Sequence, residues 1–161
     1  MLRKALARLF RFLGASFEGN HDKATVYFLS RAARAGDSWS QNNLGCCYLA
    51  GRGVEVDTKR AIELFLESAK SDQVEAYLNL GQIYYEGRHL SRNDFESFTW
   101  FAKAAECGDP RGEYRSGLMY YDGIGVERNF EKSLALLTSA ESKGIAVQKD
   151  IILFLINHLG K

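Results

Sequence analysis

The sequence predicts an all-α solenoid of stacked helix pairs, and three observations carry that prediction. A 36-residue period runs in strict register through Gly45, Gly81 and Gly117, through Tyr48, Tyr84 and Tyr120, and through Gly51, Gly87 and Gly123. The other half of each unit keeps the same step: Leu29 leads to Phe65, Phe101 and Leu137, and Ala32 leads to Ser68, Ala104 and Ala140. Within one unit the apolar residues fall at helical spacing twice over, so each unit is a pair of helices. Self-similarity at such a period marks an architecture in which each unit buries its apolar face only against its neighbours.

The elements follow in order. Residues 1–20 lack the repeated signature, yet Leu2, Leu6, Leu9 and Leu13 mark one helical face, which predicts an amino-terminal capping helix. Repeat units then occupy residues 22–144. The unit from Glu75 shows the pattern in full. Ala76, Leu80, Ile83 and Tyr84 form the stripe of a first helix, and Gly87 takes the left-handed closing position. Asn93 stands as a cap, in register with Asp57 and Asn129, and Glu96 follows at capping-box spacing. Phe98, Phe101, Ala102 and Ala105 are the expected buried stripe of the second helix. Asp109-Pro110 opens the next unit, with proline at the first helical position, where its missing N–H has no cost.

Three mid-helix glycines at one register are informative, because each costs about 1 kcal/mol against alanine in an isolated helix. Gly45, Gly81 and Gly117 therefore imply close helix–helix approach, with Ala32, Ser68, Ala104 and Ala140 as the expected small partners. Residues 145–161 are read as a carboxy-terminal cap, because Leu153 stands at the glycine register and blocks the approach of a further second helix. One proline and no low-complexity stretch leave no candidate linker, so a single domain over residues 1–161 is expected. At 161 residues and 46% hydrophobic content the chain is long and apolar enough to bury a core.

A near-neutral total charge hides an asymmetry. Residues 1–36 carry Arg3, Lys4, Arg8, Arg11, Lys23, Arg31 and Arg34 against only Glu18 and Asp22. A basic amphipathic amino-terminus suits a membrane surface or an acidic partner; the plainer reading is a solvated face of the cap. Arg8 and Arg11 interrupt the apolar stretch, so it does not read as a signal peptide. The apolar run Ile151–Ile156 is far too short to cross a bilayer. Nucleic-acid binding is disfavoured because no basic stripe with interleaved aromatic residues continues along the chain.

The residues Leu44-Gly45-Cys46-Cys47-Tyr48, Gly51-Arg52-Gly53-Val54, Asp57 and Ala104-Ala105-Glu106-Cys107-Gly108 resemble the Sel1-like repeat family, a relative of the tetratricopeptide repeat with a longer inter-helix loop. Gly117-Leu118-Met119-Tyr120 and Gly123-Ile124-Gly125-Val126 give a further copy, whereas Gly87-Arg88-His89-Leu90 departs from the loop pattern. The resemblance implies a right-handed α-α superhelix with terminal capping helices. Some secreted relatives staple every repeat with a cysteine pair. Here Cys46 and Cys47 are adjacent and Cys107 stands alone, so reduced thiols and a cytoplasmic setting are expected.

No catalytic constellation is legible. His21, His89 and His158 are far apart, no Cys/His set has metal-ligand spacing, and Gly51-Arg52-Gly53 lacks the rest of a dinucleotide fingerprint. Glu63 with Glu67, and Glu131 with Asp122, read as ordinary solvated carboxylates. No enzyme, cofactor or metal is expected. A cysteine-containing Sel1-like hydrolase or penicillin-binding protein is the alternative that the resemblance brings, and the missing cysteine pairs and nucleophile–base set count against it.

What the resemblance does imply is a binding face, because first helices line the concave side of the tetratricopeptide fold. Carried over by register, the inward positions include Trp39, Asn42 and Asn43, then Asn79, Gln82 and Tyr85, then Tyr114, Arg115 and Tyr121. Asparagine amides are suited to gripping extended backbone, and Trp39, Tyr85, Tyr114 and Tyr121 to anchoring. Six apolar residues in a row cannot share one helical side, so some of Ile151, Phe154 and Leu155 are expected to be exposed or covered by a partner or a second copy. The expected function is that of a non-catalytic bacterial protein binder, either an immunity protein that neutralises a cognate toxin or an adaptor, with no nucleic acid and no stable membrane insertion.

Overall fold

A computed structural model describes residues 2–16, 22–87 and 90–160. Among them the chain forms nine helices and no strand: α1 (Leu2–Ser16), α2 (Asp22–Arg34), α3 (Ser38–Ala50), α4 (Thr58–Ala69), α5 (Val74–Glu86), α6 (Asp94–Glu106), α7 (Pro110–Asp122), α8 (Phe130–Ser142) and α9 (Lys149–Leu159). The chain divides into two compact units, Met1–Ala76 and Tyr77–Lys161.

In the first unit α1 packs on α2, α2 on α3, and α3 on α4. Leu29, Ala33, Leu44, Cys47 and Leu64 make the core, with Val26, Trp39, Tyr48 and Val54 packed against it. Phe65 lies so close to Gly45 that a Cβ there would stand 2.7 Å from its ring. Of the expected leucine stripe of α1, Leu13 is half-buried but Leu6 and Leu9 are exposed, and the side chain of Leu2 lies outside the described residues. Ala7 is buried and Phe10 stacks on Phe28 at 6.3 Å, whereas Leu6, Leu9 and Phe12 are 41%, 52% and 69% exposed.

In the second unit α6 packs on α7, α7 on α8, and α8 on α9. A Cβ at Gly81 would stand 2.8 Å from the Phe101 ring, and one at Gly117 would stand 2.9 Å from Leu137. The mid-helix glycines thus receive the large residue of the following helix, not the small residues expected from the sequence. The small register has another role. Ala104 takes the start of the next helix, where a Cβ at Gly112 would meet it at 2.6 Å. The buried stripe of α6 is Ser97, Phe101 and Ala104; Phe98, Ala102 and Ala105 flank it half-buried, a rotation from the expected stripe.

The connections repeat as faithfully as the helices. Asp57 N–H donates to Tyr48 C=O, Asn93 N–H to Tyr84 C=O and Asn129 N–H to Tyr120 C=O, each at 3.0 Å. The side chains of Asp57, Asn93 and Asn129 cap α4, α6 and α8 by accepting from the N–H groups of Arg60, Glu96 and Lys132. Each second helix ends at a left-handed residue of the same register. Gly36, Gly108 and Gly144 fill it in three units, and Asp72 (φ 52°) in the other. Of the unusual middle loop, Arg88 and His89 lie outside the described residues, as does His21.

The terminal helix follows the register. Leu155 falls in step with Cys47, Ile83 and Met119 and is fully buried against Leu137 and Val147. Leu153, at the glycine register, is 58% exposed, on the side that a second helix covers in the other units.

Candidate protein-binding surface

Of the residues that the sequence places on a recognition face, those of α5 and α7 come together. On α5, Leu78 and Asn79 share a flank with Gln82, which follows them by four and three positions, because positions three and four apart fall on the same side of a helix. On α7, Tyr114, Arg115 and Leu118 repeat that spacing. Together with Arg111 and Ile145, and with Phe101 of α6, the two flanks enclose a cleft of about 440 Å³; Leu118 stands outside it. Phe101 and Arg115 also line a smaller hollow of about 60 Å³ that runs on to Tyr85, Leu118 and Asp122. The two hollows therefore form one continuous surface.

Its chemistry is mixed. The Arg115 guanidinium lies 5.9 Å from the Phe101 ring centroid, and among the described residues no carboxylate pairs with it. Arg111 is held on Asp109 by two bonds, Nε to Oδ1 at 3.1 Å and Nη2 to Oδ2 at 2.7 Å. The hydrogen bond from Arg111 holds the Asp109 carboxyl below its ordinary value of 3.8, against an opposing effect of burial and with help from the Arg111 and Gly112 N–H groups. Gln82 donates to Glu86, and Arg92 covers the Tyr85 ring at 5.0 Å. Cationic, apolar and amide groups thus stand side by side, as in the adaptable patches that receive protein segments.

The other expected positions lie elsewhere. Asn42 is 6% exposed, too buried to read a partner from the surface; a polar residue at a position held by Leu78 and Tyr114 in the later units has been taken into the interior. Asn43 spends an amide N–H on Trp39 C=O at 2.8 Å, within its own helix. Trp39 is half-buried beneath the Arg11 guanidinium at 5.6 Å. Tyr121 and Phe154 meet edge to face at 5.8 Å, and Phe130 and His158 complete an aromatic cluster around Phe154, which stays 44% exposed.

A second type of cleft escaped the sequence reading. In the first unit one of about 440 Å³ is lined by Ser30, Ala33, Leu44, Tyr48, Arg60 and Leu64, among others. In the second unit one of about 330 Å³ is lined by Ala102, Ala105, Ser116, Tyr120, Lys132 and Leu136, each 72 positions further on. The repeat itself makes this cleft, and the recurrence of Ala33, Tyr48 and Leu64 as Ala105, Tyr120 and Leu136 was its visible signal.

Among the described residues no group of three His, Cys, Asp or Glu side chains gathers as a metal site, and no helix is long and apolar enough to cross a membrane. The three cysteines form no disulfide; Cys47 is buried and Cys107 exposed.

The model of the Sel1 repeat matches residues 4–37, 40–72, 74–109 and 110–145. The chain belongs to the Sel1 repeat family. Its first Sel1 repeat takes in α1 with α2, so the repeat begins earlier than the boundary at residue 22 expected from the sequence. Among solved structures it is similar to c5321, a protective antigen of uropathogenic Escherichia coli strains displaying an SLR fold. The identity is 29% over 89% of this chain and 30% of that one, with a TM-score of 0.78. It is also similar to a Sel1 repeat protein from Oxalobacter formigenes, with 25% identity over 89% of this chain and 59% of that one, and a TM-score of 0.76. A sel1 repeat protein from Klebsiella pneumoniae subsp. pneumoniae, at 22% identity and a TM-score of 0.56, shares the fold. This Sel1 repeat chain thus spans less than two thirds of the length of the first two. No curated protein matches it. Sel1 repeats are in general protein-interaction scaffolds, and protein partners are what this fold suggests.

Proposed function

We propose that this chain is a non-catalytic protein-binding module whose recognition surface is the α5–α7 cleft, and that it acts by occupying a partner, as an inhibitor that neutralises a toxin domain or as an adaptor. The observation that carries the reading is the convergence of Asn79, Gln82, Tyr114 and Arg115 on one cleft. Across the repeats their registers vary, through Asn42, Leu78 and Tyr114, Asn43, Asn79 and Arg115, and Cys46, Gln82 and Leu118, while the framework residues recur, which is how a scaffold keeps its shape and varies what it reads. The unpaired Arg115 favours a partner that brings a carboxylate, and Tyr114 and Tyr85 offer aromatic contact at low entropic cost.

The test is capture of the partner from the native host by the full chain and by the Arg115→Glu and Tyr85→Ala variants. Each change is expected to weaken association by about 2 kcal/mol while leaving the melting temperature within a few degrees. A partner retained equally by both variants places the surface elsewhere. If the captured partner is a toxin, its activity in the presence of the chain separates an inhibitor from an adaptor.

A further inference from the structure

We propose that the solvent-facing side of α1, with the adjoining arginines of α2, docks peripherally on an anionic lipid surface. The apolar part of the helix is wider than its packed side. Ala7 and Phe10 meet α2, and Leu6, Leu9 and Phe12, spaced three apart, carry the apolar surface on beside them into an exposed row. A helix with one packed side ordinarily turns charge to solvent on the other.

Within α1 the charge is of one sign. No Asp or Glu occurs anywhere in α1, and Arg8 stands one turn from the exposed Phe12, while Arg11 turns toward Trp39. From α2, Arg31 reaches over the Phe10 ring at 5.0 Å and the exposed Tyr27 ring at 5.8 Å. Between the two helices lies an open cleft of about 300 Å³, walled by Leu6, Phe10 and Ala35 and bordered by Arg31 and Arg34. Among the described residues no carboxylate pairs with Arg8 or Arg31, although Arg11 is shared with Asp37 at 3.6 Å.

An apolar row, an apolar cleft and a cationic border together match the two parts of an anionic lipid, hydrocarbon and phosphate. A partner helix of another protein would satisfy the apolar row and leave the arginines without a use. At 15 residues α1 is too short to span a bilayer, so it lies in the plane of the interface, with Tyr27 at headgroup level.

The experiment is co-sedimentation of the full chain with phosphatidylcholine vesicles, with and without phosphatidylglycerol. Binding is expected only when phosphatidylglycerol is present, and it should weaken as salt is raised. The Leu9→Glu/Phe12→Glu double variant, altered at exposed positions, should lose at least about ten-fold in partitioning with unchanged circular dichroism. Arg8→Gln and Arg31→Gln should each weaken partitioning about five-fold. Should the double variant misfold, the two arginine variants and the salt dependence still decide. No binding to the anionic vesicles, equal binding to both kinds, or arginine variants that bind as the parent does would each overturn the proposal. So would light scattering that shows a dimer broken by Leu9→Glu with the vesicles left unbound, which would make a second copy the occupant.

Discussion

Lys143 reaches back across 30 positions of chain to place its ammonium 2.6 Å from Glu113 Oε1, at a carboxylate that is almost wholly enclosed. The same ammonium donates to Gly108 C=O at 3.1 Å, and the Ser139 hydroxyl donates to the same carboxylate oxygen at 3.0 Å. Glu113 Oε2 is buried without a hydrogen-bond partner among the described residues. Lys143 therefore compensates a carboxylate that water does not reach. Lys143→Ala is expected to cost about 3 kcal/mol, because it leaves that charge buried and unpaired. The double change Glu113→Gln/Lys143→Met should cost less than the single one, as read by chemical denaturation of all three variants.

Gly81 is fixed by its neighbour more than by its own backbone. Alanine there adds a Cβ at 2.8 Å from a buried aromatic ring, an overpacking that costs about 1–3 kcal/mol. Its better helix propensity returns about 1 kcal/mol. A net destabilisation is expected, and Gly81→Leu should be far worse. Thermal melts at the level of the parent for both would show that the close approach does not exist.

Ser97 and Ser133 stand at one register and are both fully buried, yet they differ in partners. Ser97 donates to Gly81 C=O at 2.9 Å, whereas the Ser133 hydroxyl has no partner among the described residues. Ser97→Ala should lose about 1 kcal/mol, and Ser133→Ala should be neutral or stabilising. Equal effects of the two changes would contradict the assignment.

Asp72 holds a left-handed conformation that Gly36, Gly108 and Gly144 hold in the sister units. An L side chain there costs about 1–2 kcal/mol, less for Asp than for most. Asp72→Gly is expected to raise stability by about 0.5 kcal/mol, and Asp72→Val to lower it by more than about 1 kcal/mol. Denaturant midpoints give the ranking.

Asp109 makes the fold sensitive to acid. Its carboxyl lies below the ordinary 3.8 in the folded state, chiefly through the hydrogen bond from Arg111. A depressed folded value means that the charged form is the stabilising one. Its contribution is complete above 3.8, and it is lost as pH falls through the lower folded value. Arg111→Ala should shrink this acid-dependent part, and Asp109→Asn should abolish it while keeping a side-chain cap on α7. Stability measured down to the acid limb tests both.

The helix pairs, their caps and the tight contacts at Gly45, Gly81 and Gly117 were legible because repetition multiplies each signal. Asp57 as a cap is a guess; Asp57, Asn93 and Asn129 in register are a pattern. The packed side of α1 was not legible. The apolar residues of that helix cover one broad arc from Phe12 round to Ala7, and periodicity does not say which part of it meets α2. Asn42 was misplaced for a related reason, since its register mates Leu78 and Tyr114 are only half-buried and give no hint that Asn42 is enclosed. The α5–α7 cleft was half legible. Asn79, Gln82, Tyr114 and Arg115 were named from register, but the Phe101 wall that joins the two hollows comes from α6, a second helix excluded by the assumption that first helices alone line the face.

The hydrogen bonds that tie Asp57 to Tyr48, Asn93 to Tyr84 and Asn129 to Tyr120 each close a loop within the same helix pair. Short closures cost little chain entropy, and contacts between sequence neighbours form early. Each hairpin of helices is thus able to assemble before distant segments arrive. The same locality means that one pair can open while its neighbour stays closed. Amide exchange should therefore fall into blocks that follow the pairs, with protection set by how many neighbours flank each one.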